Sequence, residues 1–97
     1  MVKHVVTFKL KGSQEERSEI AKKFKQALES LPGIIPELKS IEVGININPA
    51  EAWDICLIAC ADSLEDIAAY SKHPAHVDAV KIIAPHKEDR ACVDFIA

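Results

Sequence analysis

The sequence predicts an α+β fold with a four-stranded antiparallel sheet, and three of its features point to this class. Segments in which apolar and polar residues alternate lie near the start, in the middle and at the end of the 97 residues, as in half-buried strands. Stretches with apolar residues at helical spacing separate them. Two of these stretches begin with a serine followed three residues later by an acidic residue, a common start of a helix. The resulting order, strand, helix, strand, strand, helix, strand, is that of the ferredoxin-like fold, whose helices cover one face of the sheet.

The first strand is expected in "VKHVVTFKLK". Because successive side chains of a strand point to opposite faces, alternate residues share one face. We assign the mainly apolar face to the helices, and it comprises Val2, His4, Val6, Phe8 and Leu10.

The first helix is expected to begin directly after Gly12, which ends the strand. Ser13 and Glu16 have the spacing of a capping box, in which each side chain satisfies one free backbone amide. The helix is expected to end at "LPG". Its apolar stripe comprises Ile20, Ala21, Phe24, Ala27, Leu28 and Leu31.

Two strands are expected in the centre of the chain. "SIEVGININ", residues 40–48, alternates apolar and polar residues as far as Ile47 and predicts a strand with one polar face. "NPAEA" has the composition of a turn. "WDICLIACA", residues 53–61, is apolar on both faces apart from Asp54, which indicates a central strand covered on both sides.

A helix in two parts follows. Ser63, with Asp66 three residues later, caps the first part. Pro74 suits the first turn of the second part, because that position needs no N–H, and Pro85 is expected to end it. The apolar stripe of the second part comprises Val77, Val80 and Ile83 or Ala84.

The chain is expected to close with a fourth strand in "RACVDFIA", residues 90–97. Alternation puts Cys92, Asp94 and Ile96 on one face and Val93 and Phe95 on the other. The charged run "KEDR" at its start is expected to form a solvated turn.

The composition indicates one domain spanning residues 1–97 and excludes several classes of function. A formal net charge of −3 supplies no field to attract phosphate backbones, so no nucleic-acid partner is expected. The apolar runs are far shorter than the roughly 20 residues of a membrane helix, and the N-terminus has no signal-peptide core, so we expect a cytoplasmic protein without a membrane partner. The three cysteines lie in apolar segments without C-x-x-C spacing and are expected to be inert thiols.

A helix layer on one side leaves the other face of the predicted sheet uncovered. Val5 and one of the two apolar sets of the third strand would be exposed there. Because exposed apolar surface of this kind marks an interface, we expect a homodimer in which two sheets pack face to face as an α/β barrel.

Histidines are the main candidates for chemistry, and the chain has four. His86 lies in the polar loop "PHKEDR" and is expected to face water, which leaves His4, His73 and His76. His4 is expected to point inward, either as a hydrogen-bonded core residue or as the wall of a small cavity. His76 lies near the amino end of a helix, where free N–H groups disfavour positive charge, so a neutral ring that acts as a general base is possible.

Tyr70 and His73 flank the start of that helix. The phenol of Tyr70, the only tyrosine, either orients a substrate carbonyl or packs in the core. His73 is favoured as part of the helix start. The spacing of His73 and His76, together with His4, also suits metal ligands, but no carboxylate completes a set of three, and no metal site is expected.

Four segments occur in a characteristic order: "MVKHVVTFKLK", "PGIIPELKSIEVGIN", "YSKHPAHVDAV" and "VDF". Together they resemble the stress-responsive dimeric α/β-barrel (Dabb) family over essentially the whole chain. The resemblance implies a ferredoxin-like protomer and a homodimer whose sheets form a barrel. It implies an uncharacterised stress-responsive protein, and we expect it to bind a small apolar or aromatic molecule between sheet and helices.

An enzyme is the alternative, because one plant member of this family is a polyketide cyclase that closes a ring by aldol condensation without a cofactor. By this resemblance His76 would be the base that removes a proton next to a carbonyl, Tyr70 would hold the carbonyl, and His4 would line the pocket. A cyclase-like or isomerase-like activity without cofactors is thus implied, and a relative of antibiotic biosynthesis monooxygenases is a further alternative. The ligand-binding residues are expected to include His4, Phe8, Phe24, Leu28 and His73.

Overall fold

The computed structural model describes all 97 residues and confirms the ferredoxin-like α+β fold. The four strands form one antiparallel sheet in the order β2-β3-β1-β4. The helices lie on one face of this sheet, and none of them is both long and apolar enough to span a membrane. The elements are β1 (Val2–Leu10), α1 (Gln14–Glu29), β2 (Ser40–Ile45), β3 (Ile55–Ala61), α2 (Leu64–Lys72), α3 (Pro74–Val80) and β4 (Lys87–Ile96), with a short 3-10 turn at Ala84–His86 before β4.

Strand β1 lies between β3 and β4 and carries the predicted inner face. All five residues assigned to the helix side are buried. The ladder aligns His4 with Ala59 of β3 and with Asp94 of β4, and directly opposed residues of antiparallel strands project to the same face. The sheet therefore delivers His4 and Asp94 together to the helix side.

Helix α1 begins as predicted, because Gly12 and Ser13 supply the turn and the cap. Gly12 adopts a φ of 110°, a conformation that side chains with a Cβ rarely reach. The Ser13 hydroxyl accepts a hydrogen bond from the Glu16 N–H at 3.2 Å. The Glu16 carboxylate accepts from the Ser13 hydroxyl rather than from the Ser13 amide, so only half of the capping box forms. The helix buries Phe24 against Phe8, edge to face, with ring centroids 5.6 Å apart.

Three predictions from the sequence pattern are wrong in detail. Strand β2 stops at Ile45, and Ile47 is 96% exposed, because the Asn46 and Asn48 side chains accept hydrogen bonds from backbone amides two residues on and turn the chain. The run "KEDR" lies in β4 and not in a turn, since it pairs with the end of β1. Helix α3 ends at Val80, before Pro85, and buries Ala79 while Val77 stays exposed.

The face of the sheet opposite the helices has no cover within the protomer. The ladders align Val5 with Ile58 of β3 on one side and with Val93 of β4 on the other, which makes an apolar row across three strands. Val93 is 63% exposed, and Phe95 on the same face is 46% exposed. We name the set Val5, Ile58, Val93 and Phe95 the outer sheet face.

Candidate functional site

A cavity of about 200 Å³ lies between the inner face of the sheet and the helices. It brings together His4 of β1, Tyr70 of α2 and His76 of α3, the three residues that the sequence singled out for chemistry. The rest of the wall is mainly apolar, and it comprises Val6, Phe8, Phe24, Leu57, Ser71, Val80, Ile83, Ala84, Lys87 and Arg90.

Tyr70 belongs to the wall of this cavity and has an unsatisfied hydroxyl. The residue is 0% exposed, and its hydroxyl oxygen makes no hydrogen bond. The ring stacks at a tilt on His76, with centroids 4.5 Å apart, and meets the edge of His4 at 6.3 Å. Burial raises the pKa of the phenol far above its ordinary value of 10.0, so the hydroxyl stays protonated. It can therefore donate a hydrogen bond, but no acceptor lies within reach.

His76 is held in one orientation by the backbone at the end of α2. Its Nδ1 lies 2.9 Å from the carbonyl oxygen of Ser71. A carbonyl oxygen can only accept, so Nδ1 carries the proton and Nε2 keeps its lone pair. Burial lowers the pKa of His76, the hydrogen bond to Ser71 acts in the opposite direction, and the neighbouring His4 and Arg90 lower the pKa further. The ring is therefore neutral at pH 7, for reasons of burial more than of the helix end.

His4 has a different partner. Its Nδ1 lies 2.5 Å from a carboxylate oxygen of Asp94, and the Cys92 sulfur is 3.5 Å from the same nitrogen. A carboxylate on Nδ1 fixes the tautomer and the plane of an imidazole. His4 is thus oriented with Nε2 as its free nitrogen, and it lines the cavity next to Tyr70.

His4, Cys92 and Asp94 are also a group of possible metal ligands, since their donor atoms all lie within 4.8 Å of one another. Bonds of about 2.0–2.3 Å in a tetrahedral zinc site keep ligand atoms roughly 3.3 Å apart. The 2.5 Å between His4 Nδ1 and Asp94 is instead the distance of a short hydrogen bond. In this arrangement Asp94 orients the ring of His4 through the hydrogen bond.

Two residues expected in the pocket lie elsewhere. His73 is the N-cap of α3, where its Nδ1 accepts a hydrogen bond from the Ala75 amide at 3.1 Å, and it does not line the cavity. Leu28 is 0% exposed but belongs to the packed core on α1 and not to the cavity wall. Phe8 and Phe24 do line it, as expected.

The sequence did not predict the role of three charged residues of β4: Asp94, which orients His4, and Lys87 and Arg90, which line the cavity. Asp94 was assigned to a face of the last strand without a partner, although an acidic residue within "CVDFI" is an unusual member of a strand. Lys87 and Arg90 were assigned to a solvated turn, but they line the cavity. No local pattern marked the start of this strand, because all four residues of "KEDR" are charged and show no alternation of apolar and polar residues.

Comparison with known proteins matches the chain to one family over nearly its full length. The sequence profile of the Stress responsive A/B Barrel Domain (Dabb) matches residues 2–97. A dimeric protein of unknown function with a ferredoxin-like fold from Bacteroides fragilis is 48% identical, with a TM-score of 0.94 over 97% of this chain and 93% of that chain. A dimeric ferredoxin-like protein of unknown function from Thermobifida fusca is 32% identical, with a TM-score of 0.81 over 99% and 90%.

More distant likeness extends to an antibiotic biosynthesis monooxygenase, which is 13% identical with a TM-score of 0.77 over 100% of this chain and 98% of that chain. At this identity the likeness shows a shared fold and nothing about the reaction. No curated protein matches the chain.

Proposed function

The chain belongs to the stress-responsive A/B barrel (Dabb) domain family, and from this premise we propose that it binds a small, largely apolar molecule with an oxygen acceptor in the cavity between sheet and helices. The buried Tyr70 hydroxyl carries the proposal. A buried hydroxyl without a partner costs roughly 1–3 kcal/mol, and such groups in native proteins call for an explanation. A ligand oxygen that accepts from Tyr70 supplies one.

The size and lining of the cavity support the same class of ligand. Its volume of about 200 Å³ is below the roughly 300–1,000 Å³ of pockets for drug-sized molecules. Its walls are apolar or aromatic except at His4, Ser71, His76 and the β4 end. A carbonyl or hydroxyl compound with a small hydrocarbon or aromatic body would fill it.

A wall residue and its neighbour on α3 offer a matched test. Val80→Trp is expected to fill the cavity that Val80 lines, whereas Val77→Trp adds the same ring on an exposed position outside it. We expect small aromatic ketones and aldehydes, at a hundredfold excess over Kd, to stabilise the wild type and the Val77 variant by about 2.7 kcal/mol and to leave the Val80 variant unaffected. Thermal unfolding at fixed protein concentration measures this.

Equal stabilisation of both variants would show that the compounds bind elsewhere. Absence of stabilisation by every oxygen-bearing compound in the wild type would contradict the proposed function itself.

A second candidate function is proton transfer without a cofactor, and one observation favours it. The His76 ring is neutral and has a free Nε2, because its Nδ1 is bound to Ser71. The same ring packs at a tilt against Tyr70. A base next to a hydrogen-bond donor is the pair needed to remove a proton from the carbon beside a carbonyl: the Tyr70 O–H donates to the carbonyl oxygen while Nε2 takes the proton. Return of that proton to another position of the ligand would complete an isomerisation.

We also propose that the protein is a homodimer joined through the outer sheet face. The two relatives above are described as dimeric. The outer sheet face, in which Val5 and Ile58 are half-buried and Val93 and Phe95 are exposed, is the apolar surface that such a dimer would cover. Burial of this row by a second copy would stabilise the dimer by about 25 cal/mol for each Å² of apolar surface removed from water.

A charge placed in the row should separate the copies. Wild type and an Ile47→Lys control are expected at about twice the 10.7 kDa of one chain, because Ile47 is 96% exposed and lies outside the outer sheet face. Val93→Lys is expected at the mass of one chain, since the dimer would otherwise bury an unpaired ammonium. Light scattering at micromolar concentration decides this, and a dimeric Val93→Lys protein would place the interface elsewhere.

A further inference from the structure

Two basic side chains stand at the β4 edge of the cavity that contains Tyr70 and His76. Lys87 and Arg90 both line the cavity and are both exposed. Arg90 is aligned with Phe8, and Lys87 with Leu10, across the ladder between β4 and β1. Their partners belong to the inner face, so both cations leave the sheet on the side of the helices.

Neither cation has an anionic partner in the protomer. The ion pairs of the structure involve His4, Arg17, Lys25, Lys39 and Lys81 instead. No acidic residue lines the cavity. On β4 itself, Asp94 is bonded to His4, and Asp89 is aligned with Lys9, on the opposite face of the sheet. Glu88 lies at the register shift next to Lys87 and forms no ion pair.

The cavity thus combines three zones. Its body is apolar, with Phe8, Phe24 and Ile83 among the walls. Its wall also includes Tyr70, whose hydroxyl makes no hydrogen bond, and its β4 edge holds two free positive charges. A guanidinium presents a planar fork that matches a carboxylate with two parallel hydrogen bonds. An ammonium adds a second charge that favours the same group.

We propose that the ligand of this cavity is a small carboxylic acid that carries a carbonyl group on an apolar body. Arg90 and Lys87 bind its carboxylate at the β4 edge, the apolar walls enclose its body, and Tyr70 donates to its carbonyl oxygen. This rests on the proposed function, because it assigns the class of ligand to the same cavity.

Binding of such an acid also has a consequence at His76. Arg90 is one of the charges that hold the pKa of His76 below 6.5. A carboxylate bound at Arg90 would offset that charge, so the pKa of His76 should rise on binding of the acid and should not rise on binding of the uncharged ester of the same compound. NMR titration of the His76 ring protons reports this without any turnover.

Phenylpyruvate and its methyl ester form a pair of probes with the same skeleton that differ in charge. We expect the wild type to bind the acid roughly tenfold more tightly than the ester at low salt, as for one hydrogen bond between charged groups, and this preference to shrink as salt is raised. In the double variant Lys87→Gln, Arg90→Gln the preference should disappear, because the affinity for the acid should fall to that for the ester. Lys23→Gln, on the exposed side of α1, is the control and should keep the preference.

The outcomes separate the two proposals. Binding of the ester as tightly as the acid, or an acid preference that survives in the double variant, overturns the carboxylate assignment and leaves the proposed binding function standing. Binding of neither compound to the wild type contradicts both.

Discussion

Replacement of Tyr70 by phenylalanine is expected to stabilise the empty protein and to weaken ligand binding at the same time. The change removes one oxygen atom that is buried and makes no hydrogen bond. Because an unsatisfied buried hydroxyl costs roughly 1–3 kcal/mol, we expect the free energy of unfolding to rise by about 1–2 kcal/mol. The ring and its contacts with His4 and His76 remain.

Ligand affinity should change in the opposite direction. A carbonyl oxygen that enters the cavity of the variant loses its donor and stays unsatisfied, which costs about 1–3 kcal/mol, or about tenfold in Kd for each 1.4 kcal/mol. The matched control is a hydrocarbon of the same shape without the oxygen, whose affinity should not fall. Calorimetry measures both affinities, and urea unfolding at fixed protein concentration measures stability.

A lower free energy of unfolding for the empty Tyr70→Phe protein would contradict the assignment of the hydroxyl. It would mean that the oxygen has a partner in solution, and the main observation behind the proposed binding function would then be lost.

The sequence was most informative where periodicity and burial agree. Alternation in β1 predicted that His4 and Phe8 lie on the inner face. The prediction is robust because a shift of one residue would turn all the apolar side chains of the strand toward solvent. The cap at Ser13 and the proline at Pro74 located two helix starts by backbone chemistry alone. These are local rules, and they predicted the frame that carries His4, Tyr70 and His76.

The missed features depend on residues that are far apart in the chain. Asp94 meets His4 across 90 residues, and no local pattern contains that pairing. "KEDR" was assigned to a turn because its side chains are charged, but a ladder is made by backbone groups, and the partner for this segment is the end of β1. The unsatisfied state of the Tyr70 hydroxyl is a property of its surroundings in three dimensions and leaves no trace in the sequence.

Replacement of His76 by asparagine is expected to abolish proton transfer while the ligand still binds. The amide nitrogen of asparagine can take the place of Nδ1 and donate to the Ser71 carbonyl as His76 does, but nothing replaces Nε2. Loss of a general base lowers a rate by roughly 10²–10⁴. Exchange of deuterium into the carbon beside the carbonyl of a bound ligand, followed by proton NMR, measures this rate.

The control comes from the other histidine of the same motif. His73→Asn removes an imidazole three residues away, and asparagine is a good N-cap, so α3 should keep its start and the exchange rate should stay near that of the wild type. A similar loss in both variants would indicate damage to α3 and not removal of a base.

The pH dependence of the wild-type rate tests independently whether His76 is the base. Only the neutral ring can accept a proton, and burial lowers the pKa of His76 from its ordinary 6.5, so the rate should fall to half of its maximum only below pH 6.5. A rate that already halves at or above pH 6.5 would assign the proton transfer to a different group. Retention of the rate in His76→Asn together with its loss in His4→Asn would identify that group as His4, whose Nε2 is also free while Asp94 holds its Nδ1.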